Sequence, residues 1–217
     1  MTIIWHCQSL FEISTSRGKN NEVHIVIDPF SPEIGLRLPK LEADILLITH
    51  DHEDHNNSKG VSGNPFLIEG PGEYEIKEVF VQGISAFHDD SQGKERGQTT
   101  IFTIEAEDLR VCHLGDLGQK ELTSEQLEKI GEIDILMIPV GGNYTISAKE
   151  AVKIMSQIEP KITLPMHYNL PKLKYKLDGA DKFLKTMGIK KIEPLNKLTI
   201  KKKDLSEEEA KIILLNP

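Results

Sequence analysis

The chain lacks long hydrophobic runs and has only two cysteines. The first shortage argues against a membrane-spanning protein, and the second argues against a fold held by disulfides. No apolar segment approaches the roughly 20 residues that a transmembrane helix needs. The first residues show no basic region followed by an apolar stretch and a small-residue cleavage site, as a secretory signal peptide would. We therefore expect a cytoplasmic protein that does not bind membranes. The cysteines, Cys7 and Cys112, lie in apolar stretches outside any CxxC pair, which favours buried thiols over a disulfide framework or a thiolate zinc site.

The rest of the composition is ordinary for a soluble globular protein. Of the 217 residues, 38% are hydrophobic and 28% are charged, which is enough apolar material for a sizeable core in one large domain or two small ones. No internal repeat or low-complexity linker divides the chain. We therefore expect one domain over residues 1–217.

The net charge of −8 is unevenly distributed along the chain. Residues 151–203 (the Lys-rich segment) contain thirteen lysines and four acidic residues. Such a segment, with Tyr168 and Tyr175 among its lysines, can attract a phosphate-rich substrate or nucleic acid. The lysines are dispersed and no arginine accompanies them, however, so a solvated face is the favoured interpretation and a nucleic-acid partner is not favoured.

Histidine is concentrated in residues 50–55, which read His-Asp-His-Glu-Asp-His and hold three of the eight histidines. They follow the apolar residues 45–48, with only Thr49 between. Imidazole and carboxylate groups together bind zinc, manganese or iron, whereas calcium and magnesium prefer oxygen ligands alone. An inert, solvated loop is the alternative, but a stretch this acidic and free of glycine and proline is a poor turn. The cluster therefore predicts an open metal site of the catalytic kind.

The spacing of the cluster predicts two half-sites. Residues two apart on an extended chain project to the same side, so His50 and His52 can hold one ion from one face. Asp54 and His55 follow one turn later. If the chain enters a helix near Asp54, these two side chains are better placed for a second ion close by.

Hydrophobic periodicity predicts strands in the first half of the chain and alternating strands and helices in the second. The predicted strands are residues 2–5, 9–14, 22–27, 43–49, 66–69, 73–76, 79–87, 100–105, 109–113, 134–140, 161–165, 198–200 and 212–215, and the predicted helices are 123–130, 147–158 and 179–187. A hairpin-like turn is expected at residues 17–21. Two strand-rich halves followed by helices predict an α/β (α+β) protein with two sheets covered on the outside by helices.

Three single residues further along the chain can complete the site. His88, Asp116 and His167 each lie just past the end of a predicted strand, where a rigid sheet can hold a side chain while the loop keeps the site open. Any one of them alone is more typical of a satisfied hydrogen-bonding residue. Together with the cluster they make a complete ligand set.

The order of these motifs, H-x-H-x-D-H followed by His88, Gly115-Asp116 and His167, resembles the metallo-β-lactamase-fold hydrolase superfamily. Within it, four segments resemble the small, largely uncharacterised zinc-dependent hydrolases akin to the ascorbate-6-phosphate lactonases. They are residues 70–75, 93–97, 113–116 and 139–142. The resemblance covers residues 2–203 and implies an αββα four-layer sandwich, the metallo-β-lactamase fold, with metals at one edge where strand-end loops meet.

Carried over residue by residue, the resemblance implies a site with two divalent metal ions, zinc in the first place and manganese or iron as alternatives. One ion would be held by His50, His52 and His88 and the other by Asp54, His55 and His167, with Asp116 bridging both. A hydroxide that bridges the two ions is a nucleophile available at neutral pH, because metals lower the pKa of bound water to roughly 7. Asp54 would orient that hydroxide or relay its proton, which makes it the candidate catalytic residue.

Four residues are candidate substrate contacts, namely Gln8, Gly141, Gly142 and Tyr144. Family members commonly carry histidine where this chain has Gln8, and glutamine keeps the hydrogen bonding but not the proton transfer. By strand alternation, His6 can face the same side and replace that histidine in part. The two glycines follow a strand, and their N–H groups can meet an anionic oxygen, although a plain strand-to-helix turn explains them equally well.

Other charged or polar residues have weaker signals. The loop 93–97, with Lys94 and Arg96, can contact phosphate, but a solvated hairpin is favoured. His113 is expected to pack near the site and not to bind metal. His24 has no predicted role.

The ligand set favours a hydrolase that cleaves an ester-type bond. Its expected substrate is a lactone or another carboxylic ester, on a small molecule that can be phosphorylated. The same centre would serve a phosphodiesterase or ribonuclease, for which the Lys-rich segment is the only independent support. A non-catalytic metal-binding scaffold is the third hypothesis, but a scaffold need not retain all seven ligands.

Overall fold

The computed structural model describes residues 1–17, 21–206 and 209–217. In these residues the strands are β1 (Thr2–Trp5), β2 (Phe11–Arg17), β3 (Asn21–Ile27), β4 (Leu41–Leu47), β5 (Val61–Ile68), β6 (Gly72–Ile76), β7 (Val79–Phe87), β8 (Gln98–Ala106), β9 (Leu109–His113), β10 (Ile135–Pro139), β11 (Ile162–Met166), β12 (Leu198–Thr199) and β13 (Lys211–Ile212). The α-helices are α1 (Ser124–Ile130), α2 (Ala148–Ile158) and α3 (Ala180–Thr186), and short 3-10 turns occupy Pro32–Ile34, Ser58–Gly60 and Lys202–Asp204. Residues 18–20 of the predicted hairpin turn lie outside the described residues, but β2 and β3 on either side pair antiparallel as expected.

The strands form two mixed sheets. The six-stranded sheet has the order β12-β1-β2-β3-β4-β5, and the seven-stranded sheet has the order β13-β11-β10-β9-β8-β7-β6. β9, β10 and β11 are parallel, and α1 and α2 are the crossovers that parallel neighbours need. Two sheets with helices confirm the predicted α+β class. Within the described ranges, no helix is both long and apolar enough to cross a membrane.

Side-chain alternation in β3 shows how the layers pack. Ile25 and Ile27 belong to the large apolar cluster that both sheets share, whereas Val26 belongs to a second cluster with Phe30 and Ile34. Alternate residues of a strand point to opposite faces. The second cluster therefore covers the outer face of the six-stranded sheet.

The outer layer of that sheet differs from the prediction. The sequence predicts helices outside both sheets, but in the described chain the connection from β3 to β4 holds only the 3-10 turn Pro32–Ile34, and α1, α2 and α3 all follow β9. Pro29, Pro32 and Pro39 lie in this connection, and a proline inside a helix removes a hydrogen bond and clashes with the preceding turn. The fourth layer of the αββα sandwich is therefore thin, built from a short turn and loops.

The two cysteines are not bonded to each other. Cys112 is buried, as predicted, but Cys7 is only half-buried. The left-handed backbone of Cys7 (φ 82°) places it in the turn after β1 and not within the strand. Burial still raises the pKa of the Cys7 thiol to about 11, so it stays protonated at neutral pH.

Helix α2 begins after Ser147, which forms a capping box with Glu150. The Ser147 hydroxyl accepts a hydrogen bond from the Glu150 N–H, and the Glu150 carboxylate accepts one from the Ser147 N–H. Two backbone donors that the helix leaves unpaired are thereby satisfied. The buried face of α2 consists of Ala148, Ala151, Ile154 and Ile158, spaced as one helical stripe.

Replacing Ser147 by alanine should lower the free energy of unfolding by about 1 kcal/mol, because the N-terminal cap of α2 is lost. Urea unfolding followed by circular dichroism measures the change. The control is Ser156→Ala on the exposed side of the same helix, which should leave stability nearly unchanged. An equal loss in both variants would contradict the capping role.

Four strands end at one edge of the molecule, and this edge carries the predicted ligands. β7, β9 and β11 of the seven-stranded sheet run in the same direction and are followed by His88, Asp116 and His167. β4 of the six-stranded sheet is followed by residues 50–55. The Thr100 N–H at the start of β8 donates to the Thr49 carbonyl (2.9 Å), which fixes the end of β4 against the other sheet.

Candidate metal centre

The seven predicted ligand residues come together in two adjoining groups. The first group is His50, His52 and His88, and the second is Asp54, His55, Asp116 and His167. Within each group the potential ligand atoms lie within 4.8 Å of one another, and every residue except His52 is buried. The division is the one that the resemblance implies.

Asp116 contacts both groups. Its Oδ1 lies 3.2 Å from Nε2 of His55, while its Oδ2 lies 3.3 Å from Nε2 of His167 and 3.5 Å from Nε2 of His88. The ring centres of His50 and His55, one from each group, are 4.2 Å apart. This geometry suits a carboxylate that bridges two ions.

The chain forms a single turn after His52 and does not enter a helix near Asp54. The N–H of His55 donates to the His52 carbonyl (2.9 Å) and closes that turn. The N–H of Asn57 then donates to the Pro29 carbonyl (2.8 Å) and draws the chain away from a helix. One turn is enough to separate the two half-sites of the cluster.

Asp28 orients one histidine in each group. This buried carboxylate accepts hydrogen bonds from the Thr49 N–H, the Thr49 hydroxyl and Nδ1 of His55, each at 2.8 Å. Because the Thr49 hydroxyl donates to Asp28, its oxygen accepts from Nδ1 of His50 (2.9 Å). Both histidines thus carry a proton on Nδ1 and turn Nε2 towards the site, the orientation that metal ligands require.

Buried ring nitrogens in the site fit a bound metal. Nε2 of His50, His55 and His167 is buried and forms no hydrogen bond with any described residue. Burial, together with the nearby charge of His55, lowers the pKa of His50 to about 2 and keeps that imidazole neutral. Buried polar atoms without a partner are costly, and neutral imidazole with carboxylate is the donor set that zinc, manganese and iron bind. The residues present therefore fit divalent metal ions.

Carboxylates dominate the electrostatics of the second group. Burial opposes the ionisation of Asp54 and Asp116, but the surrounding histidines outweigh it and hold the pKa of both carboxyls well below its usual range. Burial also opposes a charge on His55, but Asp116, Asp54 and Asp28 raise its pKa well above the usual value. Three carboxylates around one imidazole attract positive charge, which a divalent ion supplies in place of the proton.

Two glycines allow the close backbone contacts that the site requires. Gly115 has φ 54°, and a Cβ there would lie 2.9 Å from Cβ of Thr49. A Cβ on Gly141 would lie 2.2 Å from the carbonyl oxygen of His167. No side chain fits at these distances, so glycine lets the segment before Asp116 and the segment around His167 pack closely.

Gln8 supports the second group from within the protein. It is fully buried and donates from Nε2 to Oδ2 of Asp54 (3.2 Å), and its backbone carbonyl accepts from the His167 N–H (3.0 Å). The expectation that His6 shares this side is wrong, because β1 ends before it and a left-handed turn breaks the alternation. His6 pairs with Glu12 instead (3.1 Å).

His113 packs beside the site with both ring nitrogens in use. Its Nε2 donates to the Ser9 carbonyl (2.9 Å), and its Nδ1 accepts from the Gly115 N–H (3.1 Å). The ring is fully buried, and burial lowers its pKa, so it is neutral. It is the packed residue that the sequence predicts, and neither nitrogen is left for a metal.

The pH dependence of stability should change when His113 is replaced. Below its ordinary pKa of 6.5, the unfolded chain binds a proton at this residue that the folded protein does not bind. The free energy of unfolding should therefore fall with decreasing pH, by up to about 1.4 kcal/mol per pH unit from this residue alone. His113→Gln keeps a donor for Ser9 but does not titrate. In chelator-treated samples, the free energy of unfolding of this variant should fall less steeply than that of the wild type between pH 6.5 and about pH 5. Equal slopes for the two proteins would contradict a neutral, buried His113.

A cavity of about 290 Å³ opens beside the two groups. Its lining consists of His52, Glu53, Asp54, His88, Arg96, Asp116, Tyr144, His167 and Tyr175. Of the four candidate substrate contacts, Tyr144 is in this lining and Gln8, Gly141 and Gly142 are not. The glycines are buried in the turn after β10, where the Gly142 carbonyl accepts from the Tyr144 N–H (2.7 Å), so the plain-turn interpretation describes them.

Three residues of the cavity lining were not predicted from the sequence to contact substrate, namely Glu53, Arg96 and Tyr175. The Tyr175 hydroxyl donates to Glu53 (2.8 Å), although the two residues are 122 positions apart. Cζ of Arg96 lies 5.8 Å from the ring centre of Tyr144. The exposed Lys94 and Glu95 agree with the solvated interpretation of the loop 93–97, whereas the partly exposed Arg96 side chain lies in the cavity wall beside Tyr144.

Known proteins are similar to this chain in sequence and in fold. The family model for the β-lactamase superfamily domain matches residues 2–167, which include all seven ligand positions. The UPF0173 metal-dependent hydrolase of Thermococcus onnurineus is 31% identical over 172 residues, covering 67% of this chain and 77% of that protein. The corresponding Bacillus mycoides hydrolase is 31% identical over 207 residues, covering 78% and 86%. A Thermotoga maritima crystal structure, assigned to the Zn-dependent hydrolases of the metallo-β-lactamase superfamily, is 35% identical with a TM-score of 0.79 and covers 99% of both chains.

Proposed function

Since the chain belongs to the metallo-β-lactamase superfamily, we propose that it is a metal-dependent hydrolase with a dinuclear metal site. The observation that carries the proposal is the pair of adjoining ligand groups joined by Asp116. A non-catalytic scaffold would need neither two complete groups nor a cavity that opens onto both. Relatives named metal-dependent hydrolases support the same reaction class.

In this proposal each ligand group holds one metal ion. His50, His52 and His88 would hold one ion and Asp54, His55 and His167 the other, with Asp116 shared between them. When bound, two divalent ions lower the pKa of coordinated water to roughly 7 and stabilise negative charge on a substrate oxygen. Zinc suits this imidazole-rich set, and manganese or iron suits it as well.

Residues around the ligands have separate tasks in this proposal. Asp28 fixes the tautomers of His50 and His55, so that both present Nε2. Asp54 is ionised and lies in the cavity wall, where it can orient the attacking water or accept its proton. Gln8 donates to Oδ2 of Asp54 (3.2 Å) and limits the rotation of that carboxylate.

The size of the cavity favours a small substrate. At about 290 Å³ it is at the low end of the range for small-molecule pockets. A small molecule or one end of a larger molecule fits. Within that size limit, the substrate that we propose is a lactone or another carboxylic ester, either unmodified or on a phosphorylated compound.

A substrate panel tests the reaction. The protein is loaded with zinc, manganese or iron and assayed with lactones, thioesters and bis-aryl phosphodiesters of similar size. We expect hydrolysis of carboxylic esters or lactones that stops when a chelator removes the metal and returns when metal is added. Protein that binds its metals and hydrolyses none of these compounds would contradict the proposed reaction.

A phosphodiesterase is the second candidate, and one feature of the Lys-rich segment favours it. Lys172, Lys174 and Lys176 are exposed and alternate with half-buried residues, one of which is Tyr175 in the cavity wall. Lysines beside a metal cavity can attract the phosphates of a nucleic acid. Cleavage of the phosphodiesters but not of the esters in the same panel would favour this reaction.

A further inference from the structure

We propose that Arg96 binds an anionic group of the substrate, so that the protein acts on small molecules that carry a carboxylate or a phosphate in addition to the bond that is cleaved. This inference rests on the proposed function, because it assigns a substrate class to the same cavity. Arg96 is a permanent cation. The other residues of the cavity lining are histidines, tyrosines and carboxylates.

The backbone holds Arg96 in a fixed place relative to the metal groups. The Asp89 carboxylate accepts hydrogen bonds at 2.7 to 3.0 Å from the backbone N–H groups of Ser91, Gly93, Glu95 and Arg96. Because Asp89 directly follows the ligand residue His88, the loop cannot shift Arg96 without disturbing the end of β7.

The guanidinium of Arg96 remains available to a ligand. Its Nη1 lies 3.7 Å from Oε2 of Glu95, whose side chain is 62% exposed, and such surface pairs contribute little to stability. The guanidinium also lies over the ring of Tyr144, which orients it within the wall. A planar guanidinium held in this way forms paired hydrogen bonds with a carboxylate or a phosphate.

Both ends of such a substrate share one small space. Arg96 and five of the seven candidate ligand residues line the same cavity of about 290 Å³. The anionic group and the bond that is cleaved must therefore be only a few bonds apart. Tyr144 and Tyr175, whose rings are 5.9 Å apart edge to face, complete the wall and suit the apolar part of a short substrate.

Binding of product-like anions tests the proposal without any turnover. Succinate offers one carboxylate to the metals and a second to Arg96, whereas butyrate has the same chain length and offers only the first. Isothermal titration calorimetry on the metal-loaded protein should show at least about tenfold tighter binding of succinate. In 3-phosphonopropionate a phosphonate replaces one carboxylate. Tighter binding of this compound than of succinate identifies phosphate as the group at Arg96 only if the gain disappears in Arg96→Gln, and weaker binding identifies carboxylate.

Variants in the loop identify the residue responsible. In Arg96→Gln the preference for succinate should disappear while butyrate binds as before, and Arg96→Lys should keep part of the preference. The matched control is Lys94→Gln, which removes an exposed charge from the same loop outside the cavity lining and should keep the full preference.

Two results would overturn the assignment: a preference for succinate that persists in Arg96→Gln, or no preference in the wild-type protein. The calorimetry measures binding and not catalysis. Failure of the ester panel therefore counts against the proposed reaction, whereas failure of the succinate preference counts against Arg96 alone.

Discussion

Asp116→Ala should bind one equivalent of metal or less and should lose hydrolytic activity by a factor on the order of 10³. The carboxylate lies within 3.5 Å of Nε2 of His88 in the first group and of His55 and His167 in the second. Its removal therefore weakens both ion sites at once. Elemental analysis of the purified variant and initial-rate assays measure the two effects.

The control for this variant is Asp90→Ala. Asp90 is exposed and pairs with Lys120 at the surface, outside both ligand groups. The Asp90→Ala protein should keep full metal content and full activity. Circular dichroism of both variants checks that the fold is retained. An Asp116→Ala protein that holds both ions would show that Asp116 does not bridge them.

Asp28→Asn should weaken metal binding by about 10- to 100-fold, although Asp28 is not itself a ligand. The carboxylate accepts three hydrogen bonds, and an amide cannot accept all of them because one of its two terminal atoms is a donor. If the amide nitrogen replaces Oδ2, it donates to Nδ1 of His55 and forces the imidazole proton onto Nε2, where a metal would bind. If the amide nitrogen replaces Oδ1, its N–H group faces the Thr49 N–H, and neither donor has an acceptor.

The substitution changes hydrogen bonding with little other disturbance. Asp28 has φ 52°, and asparagine tolerates this left-handed region. Titration with zinc against a competing chelator measures the affinity. The control is Asp44→Asn, where the carboxylate also accepts a backbone N–H, that of His24, but lies outside both ligand groups. Wild-type affinity in Asp28→Asn would contradict the role assigned to the carboxylate.

Local patterns predict the parts of the fold that position the metals. β10, β11 and the second half of β4 are short and mostly apolar, and α2 carries both halves of its capping box within four residues. Four of the seven ligands lie within residues 50–55, and the other three follow strands that end at the same edge. Strand prediction and histidine density are therefore enough to bring the ligands together.

Contacts between distant residues are not readable from such patterns. Tyr175 meets Glu53 across 122 positions, and Asp28 reaches His55 across 27. A single aspartate after a strand, or a tyrosine among lysines, has many ordinary explanations. The turn through Cys7 and Gln8 escapes prediction for another reason, since two successive left-handed residues other than glycine are rare.

The metal content of the wild-type protein tests the central claim most directly. The chain is saturated with zinc, unbound metal is removed by gel filtration, and the remaining metal is measured by elemental analysis. Two ligand groups predict close to two equivalents per chain. A wild-type protein that retains one equivalent or none would contradict the dinuclear site.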